Sequence, residues 1–191
     1  TVLSRGLGDV YKRQGYTRWL LGWLRHVTGD PMITINHDAM VDALDVADVN
    51  KRLMDGLVAT SPHVLPDGVD PEKALRSYYE QCYLMIDTIG LAKIAAHLAS
   101  LELLNASLPD GMEITEAELA FFHQVLLRTG MYQYSTQWQE SVGMPAKSGV
   151  SGALMLVKPG ELGMAMYSPL IDANGNSVRG VAAAERCLLY T

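Results

Sequence analysis

The chain is short of the residue types that several common chemistries need. It has 2 cysteines, Cys82 and Cys187, in 191 residues, and neither sits in a CxxC or Cys/His spacing. A zinc site or a disulfide framework of the usual sequence form is therefore excluded, and a reducing cytoplasm fits best. Basic residues are in deficit, 15 Lys and Arg against 21 Asp and Glu, for a net charge of -6. A nucleic-acid partner would want a basic face, so none is expected. No apolar run approaches the length of a membrane span, and the first residues lack the basic-then-apolar form of a signal peptide. Phosphate-loop and dinucleotide fingerprints are missing as well. His26, His37, His63, His97 and His123 have no mutual spacing suited to a metal or a triad. His37 and His63 read as loop residues, the other three as helical.

What remains is the composition of a globular domain. Apolar residues make up 49% and charged residues 19%, and 191 residues can bury a sizeable core. Tyr16, Trp19, Leu20, Trp23, Leu24 and Val27 recur at helical spacing up to a stop at Gly29. Asn36 or Asp38 can cap a short helix carrying Ala39, Met40, Ala43 and Leu44 inward. Asp48 can cap a further one in which Val49, Leu53 and Leu57 share a face. Asp70-Pro71-Glu72 supplies a cap, a Pro for the first helical position and an acid for the first turn, ahead of Leu75, Tyr78, Tyr79, Cys82 and Met85 at helical spacing. A helix over roughly Thr88 to Leu104 has an Ala-rich face suited to close packing on another helix. Thr115-x-x-Glu118 is a capping box for a helix that ends at Gly130.

The densest stretch runs from Gly130 to Gly180. Ala153–Val157 and Leu162–Tyr167 are apolar runs joined by the turn residues Lys158-Pro159-Gly160-Glu161, which predicts a β-hairpin. Met144, Met155, Met164 and Met166 around it read as core filling. Before the hairpin, Lys147-Ser148-Gly149 holds a cation and a hydroxyl at a strand start, beside a glycine that lets a ligand approach the backbone. After it, Asn174-Gly175-Asn176-Ser177 is a turn leading into a helix. Helices followed by a hairpin predict a mixed α/β (α+β) domain with helices packed on an antiparallel sheet.

The ordered string GMY, PAKSGVSG, LMLVKPGELGMA, SPLIDANGNSVRG resembles the C-terminal part of the serine-dependent glutaminases, which share the β-lactamase-like fold, and a weaker likeness reaches back to about Tyr16. Thr1–Gln14 and Arg186–Thr191 have no counterpart in that family and resemble translated sequencing-adapter sequence. Residues 15–185 are accordingly expected to be a partial domain, without the N-terminal strands and nucleophile helix of the fold.

The resemblance implies acyl transfer. A serine of a Ser-x-x-Lys motif attacks the side-chain amide of L-glutamine, ammonia leaves, and the acyl-enzyme is hydrolysed to L-glutamate. Serine is a weak nucleophile until a neighbouring base takes its proton, and x-x spacing on a helix puts both groups on one face. No serine in this chain has a lysine three residues on. Tyr132 matches the family tyrosine that passes protons, and Lys147 supplies positive potential at the site. Val150 matches the residue whose backbone N–H helps form the oxyanion hole. Tyr78 matches a substrate-contacting tyrosine, and Asn50 an asparagine of a Gly-Asp-Arg-Asn segment that here reads Ala47-Asp48-Val49-Asn50. The family glutamate seven residues before that asparagine, which binds the substrate's α-amino group, falls on Ala43. The family uses no metal or organic cofactor and assembles as homodimers or homotetramers. Two rival readings stand beside it: a non-catalytic glutaminase-like scaffold or binding protein, and a β-lactam-directed serine hydrolase sharing only the Lys-Ser-Gly strand.

Overall fold

The computed structural model describes residues 16–45, 48–61, 65 and 68–188. The expectations for Thr1–Gln14 and for His63 lie outside these residues. The described residues fall into two compact units, one up to Arg25 and over Pro31–Ile86, the other over His26–Asp30 and from Asp87 onward.

Helix α1 (Tyr16–Thr28) begins in the first unit and ends in the second, where Gly29 turns the chain at φ 66°. Helix α2 (His37–Asp45) is capped by Asn36, whose Oδ1 accepts the Ala39 N–H at 3.2 Å. Asn36 rather than Asp38 is thus the cap, and His37 is the first helical residue, not a loop residue. Helix α3 (Asp48–Thr60) follows, and then α4 (Pro71–Cys82), where the Asp70 carboxylate accepts the Glu72 N–H at 3.0 Å. Met85 does not continue α4. It lies in β2 (Leu84–Met85), which pairs antiparallel with β1 (Thr34–Ile35). Ile35, Met40, Leu75 and Tyr79 form the buried centre of this unit, ringed by Ala43, Leu44 and Met54 among others. The face shared by Val49, Leu53 and Leu57 points elsewhere: these residues are 63%, 60% and 49% exposed.

In the second unit α5 (Thr88–Ala99) is capped by Asp87, and α6 (Leu101–Ser107) by Ser100. The single helix predicted over this stretch is broken, with a bend of 112°. The carbonyls just before the break leave the helical ladder: Leu98 C=O is hydrogen-bonded by His123 Nε2 at 2.7 Å, and Ala99 C=O accepts the Gly160 N–H at 2.7 Å. Ser100 then starts the next helix, its Oγ accepting the Leu103 N–H at 3.2 Å. Among the described residues no single helix is long and apolar enough to cross a membrane.

Helix α7 (Glu116–Thr129) carries the full Thr115/Glu118 capping box. A short 3-10 turn at Tyr132–Tyr134 leads into α8 (Ser135–Ser141) and then a sheet of three strands ordered β3 (Ala146–Ser148), β4 (Ala153–Lys158), β5 (Leu162–Tyr167), all antiparallel. Helix α9 (Val178–Leu188) closes the described chain and runs on through Arg186, where a foreign tail was expected to begin.

Strand β4 is buried on both faces, and the period of two sorts its side chains. Leu154 and Leu156 join Met131, Trp138, Met144, Ala146 and Ala184, so α8 and α9 cover that face. Met155 and Val157 join Ala95, Ala99 and Leu126, so α5 and α7 cover the other. The Ala-rich face of α5 therefore packs on strand rather than on helix. Gly163 makes this approach feasible, because a Cβ there would lie 2.0 Å from the Ala96 backbone nitrogen.

Candidate functional site

The site features of the second unit gather where α7 ends against β3. Gly130 caps α7 with ordinary helical dihedrals, so left-handed freedom is not why glycine stands there. Space is the reason: a Cβ on Gly130 would lie 1.7 Å from the Ala146 carbonyl oxygen. The close approach lets the Ser148 N–H donate to the Gly130 C=O at 2.9 Å, fixing β3 to the helix end.

Tyr132 comes two residues later, at φ 55°, the sole non-glycine residue with positive φ among the described residues. This left-handed state costs a bulky residue roughly 1–3 kcal/mol and persists only where the surroundings enforce it. Its hydroxyl donates to the Ser148 C=O at 2.9 Å. The Lys147 ammonium lies 4.7 Å from the centre of the Tyr132 ring, within cation–π range, and donates to the same Ser148 carbonyl. Lys147 is exposed as a whole residue, but its ammonium rests on the ring, and desolvation holds its pKa below the ordinary lysine value. A fixed, partly desolvated cation beside a phenol hydroxyl is suited to moving protons and to opposing negative charge.

Val150 occupies the turn after β3. Gly149 N–H donates to Ala153 C=O and Gly152 N–H to Gly149 C=O, each at 2.9 Å, which fixes the turn. Among the described residues the Val150 amide makes no hydrogen bond, so it is left as a donor, and the residue is 69% exposed. The second turn, at Gly175 (φ 89°), reaches both features. A Cβ built there would touch Val150 Cγ1 at 3.4 Å and Tyr132 Cε2 at 3.6 Å. The structure thus brings together Tyr132, Lys147 and Val150.

Asn50 and Tyr78 lie in the first unit, on α3 and α4. The Asn50 amide donates to the Tyr79 hydroxyl at 2.7 Å, and Tyr79 packs edge-on against the 52% exposed Tyr78 at 5.8 Å between ring centres. Ala43 sits on α2 against the buried cluster of that unit, and a methyl there offers no partner for an amino group. Asp42, its neighbour, is exposed.

Two buried polar residues around Tyr132, Ser135 and Asn176, escape a reading of the sequence. Ser135 and Asn176 hydrogen-bond the backbone on either side of the strained position, and the Ser148 hydroxyl, at the strand beside them, is fully buried without a partner among the described residues. Asn174-Gly175-Asn176-Ser177 announces a turn, but nothing in its residue types says that Asn176 is 0% exposed. Among the described residues no group of three or more His, Cys, Asp or Glu is placed to hold a metal.

The chain has known relatives. The glutaminase family profile matches residues 4–189. The glutaminase of Clostridium tetani is 33% identical over 168 residues, covering 87% of this chain and 53% of the relative. Glutaminase 2 of Bradyrhizobium diazoefficiens is 35% identical over 148 residues, 78% of this chain and 23% of the relative. Among solved structures, the covalent complex of the Bacillus subtilis glutaminase YbgJ with 5-oxo-L-norleucine superposes with a TM-score of 0.77 at 26% identity, over 91% of this chain and 59% of that one. The first of these relatives is spanned for about half its length. A profile match over nearly the whole chain, relatives above 30% identity and the β-lactamase-like fold of the solved neighbours agree: this chain belongs to the glutaminase family.

Proposed function

We propose that this chain forms the Tyr132–Val150 side of a site that hydrolyses L-glutamine to L-glutamate and ammonia through a serine acyl-enzyme. The observation that carries the reading is that the Tyr132 hydroxyl and the Lys147 ammonium meet at the Ser148 carbonyl, with Tyr132 and Val150 both flanking Gly175, in a chain of this family. Tyr132 passes protons near the nucleophile, Lys147 supplies positive potential, and the Val150 N–H receives charge developing on the amide oxygen. Asn50 and Tyr78 contact the substrate. The relative YbgJ is covalently modified by 6-diazo-5-oxo-L-norleucine, an amino acid whose carbonyl carbon occupies the place of the glutamine amide. That chemistry fits an attacking residue of the kind proposed. The Ser-x-x-Lys pair is absent from the 191 residues, so the chain by itself is inactive. No metal or organic cofactor takes part, and the working protein is a cytoplasmic homodimer or homotetramer.

Ammonia release from L-glutamine tests this directly. The purified chain should release none, and a protein extended through the upstream coding sequence to a Ser-x-x-Lys helix should release it. There Tyr132→Phe should lower kcat by roughly 100-fold, a usual share for a proton-transfer group. Turnover by the chain alone, or no turnover in an extended protein that carries the motif, would sink the proposal.

Ala43 favours a second reading, a glutaminase-like scaffold without turnover, since the carboxylate expected for the α-amino group is replaced by a methyl in a packed cluster. An extended protein that binds L-glutamine calorimetrically but releases no ammonia would select it.

A further inference from the structure

We infer that Ser135 and Asn176 are positioning residues, which hold Tyr132 in its left-handed backbone state and thereby aim its hydroxyl at the Ser148 carbonyl. The inference concerns the geometry of Tyr132 and takes its functional meaning from the reading of Tyr132 as a site residue.

The peptide before a left-handed residue relaxes if its hydrogen-bonding groups can turn. Here its carbonyl is held, and so are the Met131 N–H before it and the Tyr132 C=O after it. The Met131 N–H donates to Ser135 Oγ at 3.0 Å, and the Ser135 hydroxyl donates in turn to the Tyr132 C=O at 2.7 Å. A single hydroxyl therefore ties the donor before the strained residue to the acceptor on it. The Met131 C=O accepts the Asn176 amide at 3.2 Å as well as the Tyr134 N–H at 3.1 Å. Asn176 is itself fixed, since its N–H donates to Asp172 Oδ1 at 2.9 Å. Ser135 is 3% exposed and Asn176 and Met131 are 0% exposed, so water cannot substitute for the lost bonds. Among the described residues the Asn176 Oδ1 is buried without a partner, while its amide nitrogen is committed to the Met131 carbonyl. The next residue back, Gly175, brings its turn against the Tyr132 ring. Main chain and ring are thus fixed from β3, from α8 and from the turn before α9.

The test is aromatic NMR on the chain with labelled tyrosine, the Tyr132 signals being assigned by their loss in Tyr132→Phe. The ring should show a cross-peak to the Lys147 side chain, whose ammonium lies 4.7 Å from the ring centre. Ser135→Ala and Asn176→Ala should each abolish this cross-peak and move the Tyr132 signals toward those of a solvated tyrosine, and Ser135→Thr should restore it. The Trp138 indole, which donates to the Met144 C=O at 2.7 Å in the buried core, reports whether the fold survives. A Tyr132–Lys147 cross-peak that persists in both alanine variants overturns the inference. So does loss of the native Trp138 signal in both, which would make the two residues general supports of the fold. Full turnover by Tyr132→Phe in the extended protein would instead remove the functional role of Tyr132 and leave this spectroscopic result standing.

Discussion

Tyr132 concentrates most of what is unusual in the molecule into one residue. Its position at the end of a helix is legible from the sequence alone, while its place in one site with the Lys-Ser-Gly strand comes from the family resemblance. Its φ of 55° is not, because tyrosine has no sequence preference that announces a left-handed backbone. That conformation makes a stability prediction. Tyr132→Phe removes the hydrogen bond to Ser148 and should cost about 1 kcal/mol. Tyr132→Val also places a branched Cβ in the left-handed region and should lower the urea midpoint clearly further. Equal midpoints would mean that the strain is absent in solution. Lys147 offers a pH-dependent counterpart. Desolvation depresses its folded pKa below the ordinary lysine value of 10.5, so the unfolded chain binds more protons between the two values. Folding stability should therefore rise with pH across that window, and the rise attributable to Lys147 should disappear in Lys147→Met. The same depression leaves more of Lys147 as free amine at a given pH, so acetic anhydride labelling should half-modify it at a lower pH than a fully hydrated lysine.

At the scale of elements, what the sequence shows clearly is what is decided locally. The Asp70-Pro71-Glu72 start, the Thr115/Glu118 box and the Pro159-Gly160 hairpin all follow from residues within a few positions of one another. The break at Ser100 is invisible by that standard, since no Gly or Pro marks it. It is made by His123 and Gly160, which take the carbonyls of Leu98 and Ala99 from 25 and 61 residues away in sequence. β1 and β2 are missed for a similar reason: two-residue strands carry no period to read. Glycine substitutions separate the two kinds of constraint. Gly163→Ala pushes a methyl into the backbone of α5 and should cost about 3 kcal/mol, the upper part of the range for overpacking. Gly22→Ala meets nothing within 4 Å in the middle of α1 and should stabilise by roughly 0.5–1 kcal/mol. Denaturant melts of the two variants check both signs.

For the molecule as a whole, composition and element order indicate helices on an antiparallel sheet, and the resemblance supplies the β-lactamase-like frame. Neither gives the two-sided burial of β4, which depends on which helices arrive from elsewhere in the chain. Burial predicts where the structure should be hardest to open. Amides of β4 and α5, around Leu154, Leu156, Val157 and Ala95, all 0% exposed, should be the slowest to exchange with deuterium. Those of α3, whose Val49, Leu53 and Leu57 face outward, should be among the fastest. Comparable protection in the two regions would contradict the packing described. The sheet also has an asymmetry at its borders. On β3 the outward Ser148 amide is already spent on the Gly130 carbonyl, so a helix terminus blunts that edge. On β5 the sequence Leu162-Gly163-Met164-Ala165-Met166-Tyr167 pairs only with β4 among the described residues. Further strands can therefore add to this sheet from one side only, and the site beside β3 is kept clear of them.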